Sequence, residues 1–396
     1  MKRRVLIVEN GAGFGGALTS LASLLSGLDA ADWDVHCLTA YPQDHIRPGG
    51  AVGQVGVLPR QRRYGPVSAL EPALRPIFGR RAGNAAFAVD HLTTGRTYAK
   101  AVAGYIRRHG INLVVGNNGV LINDAVILGA GRAGVPCLIH ARGPEYPGRL
   151  TGWLARRTAG IMAVSGYVAD TVRKAGVPDR RIALLPEGLD ADGFAAGADP
   201  EAFRARHDLP QDLPLVGLVA CLAGWKGHDI FLDACAAALP EVGAGAVLVG
   251  GDPGGAVTRL VVLRERVRAL GLSGRVWCVG HEADVASAMA ACAVVVHAST
   301  SPEPFGRVLL EAMALGRPVV ATDDGGPREV VTPDVDGLLV PPSDAPALAR
   351  AMIRLLGDED LRQRLGRAGW RKVREHYGIA GHVARATAEW ARHGAS

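Results

Sequence analysis

Two carboxylates, Glu303 and Glu311, enclose seven residues in the segment Pro302-Glu303-Pro304-Phe305-Gly306-Arg307-Val308-Leu309-Leu310-Glu311. An apolar strand-like run, Ala293 to His297, precedes them, and a helix-like run, Val308 to Leu315, follows. A strand, a loop bearing Pro and Gly, and then a helix leave backbone N–H groups exposed at a helix N-terminus, where they hold a phosphate well. If Phe305, Gly306, Arg307 and Val308 open that helix, Glu311 sits one turn further in and accepts from vicinal hydroxyls such as those of a ribose. Glu303, in the loop, reaches a second polyol. A phosphate cradle between two polyol acceptors describes a nucleotide-sugar site.

Lys226 stands in Gly224-Trp225-Lys226-Gly227-His228, after another strand-like run, where its ammonium can neutralise a diphosphate. His140 ends the run Pro136 to His140, and Arg142 and Glu145 follow it as candidates for holding an acceptor. Gly11-Ala12-Gly13-Phe14-Gly15-Gly16 spells G-x-G-x-x-G after the first strand. An NAD-binding reading of that loop wants its first Gly directly off the strand and an acid ending the second strand. Here Glu9-Asn10 intervene and the second strand ends in Thr39. Asp190-Ala191-Asp192 and Asp358-Glu359-Asp360 have a D-x-D spacing but lie away from strand ends, so they read as solvated acids rather than magnesium ligands. No Ser-His-Asp or Cys-His nucleophile pair is discernible, and no metal site is expected.

The elements that must position these residues alternate strand and helix along the whole chain, which argues for doubly wound parallel sheets. One alternation runs from Val5-Leu6-Ile7-Val8 to Ile182-Ala183-Leu184-Leu185. A second begins at Leu215 and continues to Pro318-Val319-Val320-Ala321-Thr322. Between them, Glu187 to Pro214 has no strand of its own and is rich in Ala, Gly, Asp and Pro. At 396 residues the chain suits two domains. The expected division is 1–188, a linker over 189–213, a second domain over 214–374, and a helical tail over 375–396.

The segment around Glu303 resembles the E-x7-E signature of the retaining glycosyltransferases of family four. Ser299 and Pro302 precede it, Phe305-Gly306 lies inside it and Ala312-Met313-Ala314 follows. Gly316-Arg317-Pro318, Gly325-Gly326-Pro327-Arg328-Glu329 and Asp336-Gly337-Leu338 come next in the family's order. The resemblance implies an α/β fold of two facing Rossmann-like domains (GT-B) with a deep cleft, and a last helix that crosses back to the first domain. It implies a nucleoside-diphosphate sugar as donor, no metal or other cofactor, and transfer of the sugar to an acceptor hydroxyl. Glu303, His140 and Lys226 would then serve catalysis. Glu311, the 305–308 amides, the Gly280-His281 backbone at the base edge and the Gly15-Gly16 pair would hold the donor. The chain departs from the family at Cys221, where an Arg is usual; Arg307 or an Arg of the first domain would have to replace it.

Composition narrows the partners. Residues 1–190 carry 23 Lys+Arg against 13 Asp+Glu, a net +10, and the remainder carries 21 against 25, a net −4. The basic half suits a phosphorylated or lipid-linked acceptor, a glycan, a small molecule, or an anionic membrane surface. Nucleic acid is not expected, because the basic residues are not interleaved with stacking aromatics. Pro59 to Arg81 mixes six arginines with Leu70, Leu74, Ile77 and Phe78, which raises a location at the inner face of a membrane. No apolar run is long enough to span one. Six scattered cysteines without C-x-x-C read as reduced thiols of a cytoplasmic protein. Two other readings stay open: a sugar-nucleotide epimerase or pyridoxal-dependent phosphorylase on a similar fold, and a non-catalytic nucleotide-sugar-binding partner. The five lysines, Lys2, Lys100, Lys174, Lys226 and Lys372, offer no pyridoxal motif.

Overall fold

The structure, a computed structural model, describes residues 2–11, 15–42, 46–58, 95–252 and 258–394. It divides into two compact units: 1–185 with 383–396, and 186–382. Each is built on one parallel sheet.

The first sheet has the strands β1 (Arg3–Glu9), β2 (Trp33–Thr39), β3 (Val52–Val57), β4 (Leu113–Asn117), β5 (Cys137–Ala141), β6 (Gly160–Ala163) and β7 (Ile182–Leu184). Their order is β3-β2-β1-β4-β5-β6-β7, every pair parallel. Val5 to Val8 are buried, as an apolar run covered on both faces of a parallel sheet must be. The second sheet has β8 (Leu215–Val219), β9 (Gly245–Val249), β10 (Val276–Gly280), β11 (Val294–His297), β12 (Val319–Thr322) and β13 (Gly337–Val340), in the order β10-β9-β8-β11-β12-β13, again all parallel. In each sheet the order reverses direction beside the first strand, between β1 and β4 and between β8 and β11. A doubly wound sheet leaves a crevice for ligands at the carboxyl ends of the strands flanking such a point.

Two local features differ from the sequence reading, and a third adds to it. The irregular stretch after Tyr41 holds β3, whose Val-Gly-Gln-Val-Gly-Val sequence is half exposed at the sheet edge and so lacks a buried strand's continuous apolar run. The stretch expected as linker carries two short helices, Ala191–Ala196 and Pro200–Arg206, and falls within the second unit. Asp190 and Asp358, the first residues of the two D-x-D triplets, are helix N-caps: their carboxylates accept from the amides of Gly193 and Leu361.

Candidate active site

In the second unit the chemistry gathers where β8 and β11 end. After β8 the chain makes a tight turn, Gly224–Lys226, and enters a helix at His228. Gly227 is left-handed (φ +72°), and a Cβ there would fall 1.7 Å from the carbonyl oxygen of Ala298, so only glycine lets the Lys226 turn lie against the end of β11. The Thr300 amide donates to the Trp225 carbonyl at 2.8 Å and fastens the two loops together. Lys226 Nζ thereby stands 2.6 Å from Glu303 Oε2, and over the Trp225 ring, 4.0 Å from its centroid.

Glu303 Oε2 meets two further groups: Ser299 Oγ donates to it at 3.1 Å and His297 Nε2 lies 3.2 Å away. Thr322 Oγ1, at the end of β12, lies 3.2 Å from His297 Nδ1. Burial works to raise the Glu303 pKa, but the His297 hydrogen bond and the Lys226 charge outweigh it and hold the carboxyl down at about 2. Among the described residues no protein group bonds Glu303 Oε1.

Glu303 is followed by the buried Phe305, then by Gly306 at φ +95°, which N-caps the helix Arg307–Ala314. The Leu309 amide turns back to the Gly306 carbonyl at 2.9 Å, while the amides of Arg307 and Val308 are too early in the helix to have an i−4 acceptor within it. Arg307 Nε donates to Glu311 Oε1 at 2.7 Å, one turn apart, with both side chains only about 15% exposed. An Arg at a helix N-terminus with its Glu deeper in opposes the helix dipole, so this pair stabilises the helix less than the reverse order would. Burial pushes the Glu311 carboxyl up, with Arg307 pulling against it. Val308 is half-buried in the same turn. At the end of β10, Gly280 is left-handed (φ +86°) and buried, and its carbonyl accepts from the Gly250 amide at 2.7 Å; His281 is exposed. Cys221, where the resemblance expects an Arg, carries an exposed thiol.

In the first unit a second polar cluster forms where β1, β4 and β5 end. Glu9, 2% exposed, closes β1. Its Oε1 accepts from the Gly11 amide at 2.5 Å and from Asn118 Nδ2 at 2.6 Å, and its Oε2 accepts from Asn117 Nδ2. Asn117 Oδ1 accepts from Arg142 Nε at 2.7 Å. Asn10 is held by Asn123 and Tyr98. His140 lies within β5, paired in register with Asn117, and is buried. Glu145 is also buried; its Oε1 accepts from the Val120 amide at 2.6 Å, and burial pushes its pKa up to about 7 against that hydrogen bond. Gly15 is an exposed, extended N-cap with nothing within 4 Å of a Cβ, and Gly16 opens the helix Gly16–Ser26. Among the described residues nothing lies close enough to require glycine at Gly15. Ala12 to Phe14 and the basic stretch Pro59 to Arg81 lie outside the described residues.

The structure thus brings Lys226, Glu303, Phe305, Gly306, Arg307, Val308 and Glu311 together in the second unit, and His140, Arg142 and Glu145 together in the first. Arg142 and Glu145 are turned into protein contacts more than the sequence reading expected. Glu9, Asn117, Asn118, His297 and Thr322 carry much of the polar bonding, and the sequence reading gave none of them a role. The available signal was a polar residue ending an otherwise apolar strand: Glu9, Asn117, His297 and Thr322 all end strands. No helix of the described residues is long and apolar enough to cross a membrane.

Two family models match the chain, "Glycosyltransferase Family 4" over residues 14–192 and "Glycosyl transferases group 1" over residues 199–372. D-inositol 3-phosphate glycosyltransferase of Corynebacterium urealyticum is 32% identical over 208 residues, 51% of this chain and 49% of that protein. The lipopolysaccharide core biosynthesis glycosyltransferase LpsE of Rhizobium meliloti is 32% identical over 225 residues, 57% of this chain and 61% of its own. The chain spans about half the length of the curated relatives it matches. Among solved structures, Anabaena Alr3699/HepE in complex with UDP superposes with a TM-score of 0.77 at 22% identity, covering 99% of this chain and all of that one. Sucrose-phosphate synthase from Thermosynechococcus elongatus superposes with a TM-score of 0.75 at 22% identity, covering 99% of each chain. These likenesses show the two-domain α/β fold known as GT-B.

Proposed function

We propose, from the premise that the chain belongs to glycosyltransferase family four, that it transfers a sugar from a nucleoside-diphosphate donor to an acceptor hydroxyl, retaining the anomeric configuration and using no metal. The observation that carries this reading is the pair of acid–cation couples, Lys226–Glu303 and Arg307–Glu311, on either side of one helix N-terminus at the strand-order reversal of the second sheet. The relatives, a D-inositol 3-phosphate glycosyltransferase and a lipopolysaccharide core biosynthesis glycosyltransferase, support the class, as does UDP in the Anabaena protein.

Each group has a task that its chemistry fits. Glu311 keeps Oε2 without a protein donor among the described residues, and takes a ribose hydroxyl there. The amides from Phe305 to Val308 take the diphosphate. An ammonium has three N–H bonds and Lys226 spends one on Glu303, which leaves two for the departing phosphate. Arg307 supplies the second cation that the Cys221 position lacks. Glu303 Oε1 takes a sugar hydroxyl. In the first unit His140 serves the sugar, while Arg142 and Glu145 serve the acceptor, which is a glycan, a lipid-linked sugar or a small molecule. As the bond from the anomeric carbon to the phosphate oxygen breaks, positive charge grows on the sugar. The acceptor hydroxyl attacks from the same face and gives its proton to the leaving phosphate, so no protein base is needed.

The test is release of nucleoside diphosphate from a panel of UDP-, GDP-, ADP- and dTDP-sugars, with acceptors and with a chelator. Glu303→Ala and Lys226→Ala are each expected to lower kcat by about 10²–10³. Wild-type rates in both variants would remove these residues from the chemistry. Donor binding without any turnover would favour a non-catalytic binding protein instead.

A further inference from the structure

We propose that His297 is a positioning residue for the transfer, which with Ser299 ties one oxygen of Glu303 to the protein so that only the other meets the donor sugar. The proposal rests on the reading of Glu303 as a sugar-binding acid.

Three groups converge on Glu303 Oε2: Lys226 Nζ at 2.6 Å, Ser299 Oγ at 3.1 Å and His297 Nε2 at 3.2 Å. Oε1 receives none among the described residues. A carboxylate that needed only neutralising would be satisfied by the lysine. Two further donors on the same oxygen fix the plane and rotation of the carboxylate, which a point charge on a flexible stem does not do. His297 is itself held: its ring ends β11, is 5% exposed, and has Ser299 Oγ 3.0 Å from Nε2 and Thr322 Oγ1 3.2 Å from Nδ1. Against a carboxylate oxygen Nε2 carries its hydrogen and donates, while Thr322 Oγ1 faces Nδ1 on the other side of the ring. The orientation of Glu303 is therefore set from the ends of two strands, β11 and β12, together with Ser299 of its own loop. A reactive constellation displaced by about 1 Å loses about 10²-fold in rate, so a device that fixes one carboxylate oxygen acts on kcat.

The experiment compares His297→Leu with His297→Gln. The Gln amide nitrogen can reach the place of Nε2 and donate to Glu303; Leu cannot. The readouts are kcat and KM for donor turnover, and the Kd of the nucleoside diphosphate alone by calorimetry. We expect His297→Leu to lose about 10²-fold in kcat with nucleotide affinity kept, and His297→Gln to recover most of the rate. If His297→Leu does not fold, Ser299→Ala takes its place with the same expectation in direction. A full-rate His297→Leu, or parallel losses of kcat and nucleotide affinity that Gln does not repair, overturns the proposal. A wild-type chain that turns over no donor overturns the function reading itself, and this inference with it; an active wild type with indifferent variants overturns the inference alone.

Discussion

Glu145 is a buried acid whose titration is carried into the physiological range. Burial pushes it from the ordinary 4.5 up to about 7, against the Val120 hydrogen bond. Between those values the folded chain keeps a proton that the unfolded chain has released, so stability falls as pH rises through that window. A shift of that size corresponds to roughly 3 kcal/mol. Glu145→Gln keeps an oxygen for the Val120 amide and carries no charge. Urea denaturation should find the variant more stable than wild type at pH 8 and close to it at pH 4.5. An unchanged pH slope in Glu145→Gln would place the titration elsewhere. Sequence alone showed Glu145 as an acid just past a strand, hence as a ligand-facing group. It could not show that an amide 25 residues upstream comes back to that carboxylate. Glu9 was opaque for the same reason: its partners Asn117 and Asn118 lie more than a hundred residues away. By contrast Glu303, Glu311 and Arg307 were legible, because their spacing places them within one loop and one helical turn, although Lys226 and Thr322, which help to fix Glu303, come from elsewhere in the chain.

At the scale of elements, the Glu303 loop is held by a second loop. Gly325, at φ +68°, pairs with Glu303 in a parallel bridge, and the Gly326 amide donates to the Glu303 carbonyl at 2.8 Å. A Cβ on Gly325 would lie 2.3 Å from the Glu303 carbonyl oxygen, and one on Gly326 would lie 2.5 Å from the Phe305 Cα. Both contacts are with backbone, so neither can be relieved by turning a side chain. Gly325→Ala should therefore cost about 1–3 kcal/mol from the left-handed conformation alone, and more from the clash. It should also shift the Glu303 loop, so we expect lost donor turnover together with a lower melting temperature. A Gly325→Ala chain with wild-type melting and rate would show that this clamp holds nothing. The Gly-Gly-Pro run stood out in the sequence as an element of the family's order, but its partner did not, since a short motif carries no information about what lies across from it. The buried strands were legible for the opposite reason. Val5 to Val8, and Val294 to Val296, are apolar throughout because both faces of a parallel sheet are covered. β3 escaped because an edge strand is covered on fewer sides.

For the whole molecule, chain order and folding unit do not coincide. The chain leaves the first unit after Leu185 and re-enters it at Val383. The core beneath β1 and β2 is closed by residues from the far end: Ala386 and Trp390 are fully buried among Val5, Ile7, Leu21, Trp33 and Leu113. Trp390 meets Trp33 edge to face, with ring centroids 5.3 Å apart. The core of the second unit draws on residues from Val216 to Leu365. Removing a buried tryptophan side chain costs about 3–5 kcal/mol, a large part of a domain's net stability. Trp390→Ala should thus lower the melting transition of the first unit while the transition of the second and, on the function proposed above, its affinity for a nucleoside diphosphate stay where they were. Differential scanning calorimetry with and without UDP separates the two, because a ligand raises only the transition of the unit that binds it. If Trp390→Ala lowered the nucleotide-stabilised transition equally, the two cores would melt as one, and the last helix would belong to the stability of the whole chain rather than to the first unit.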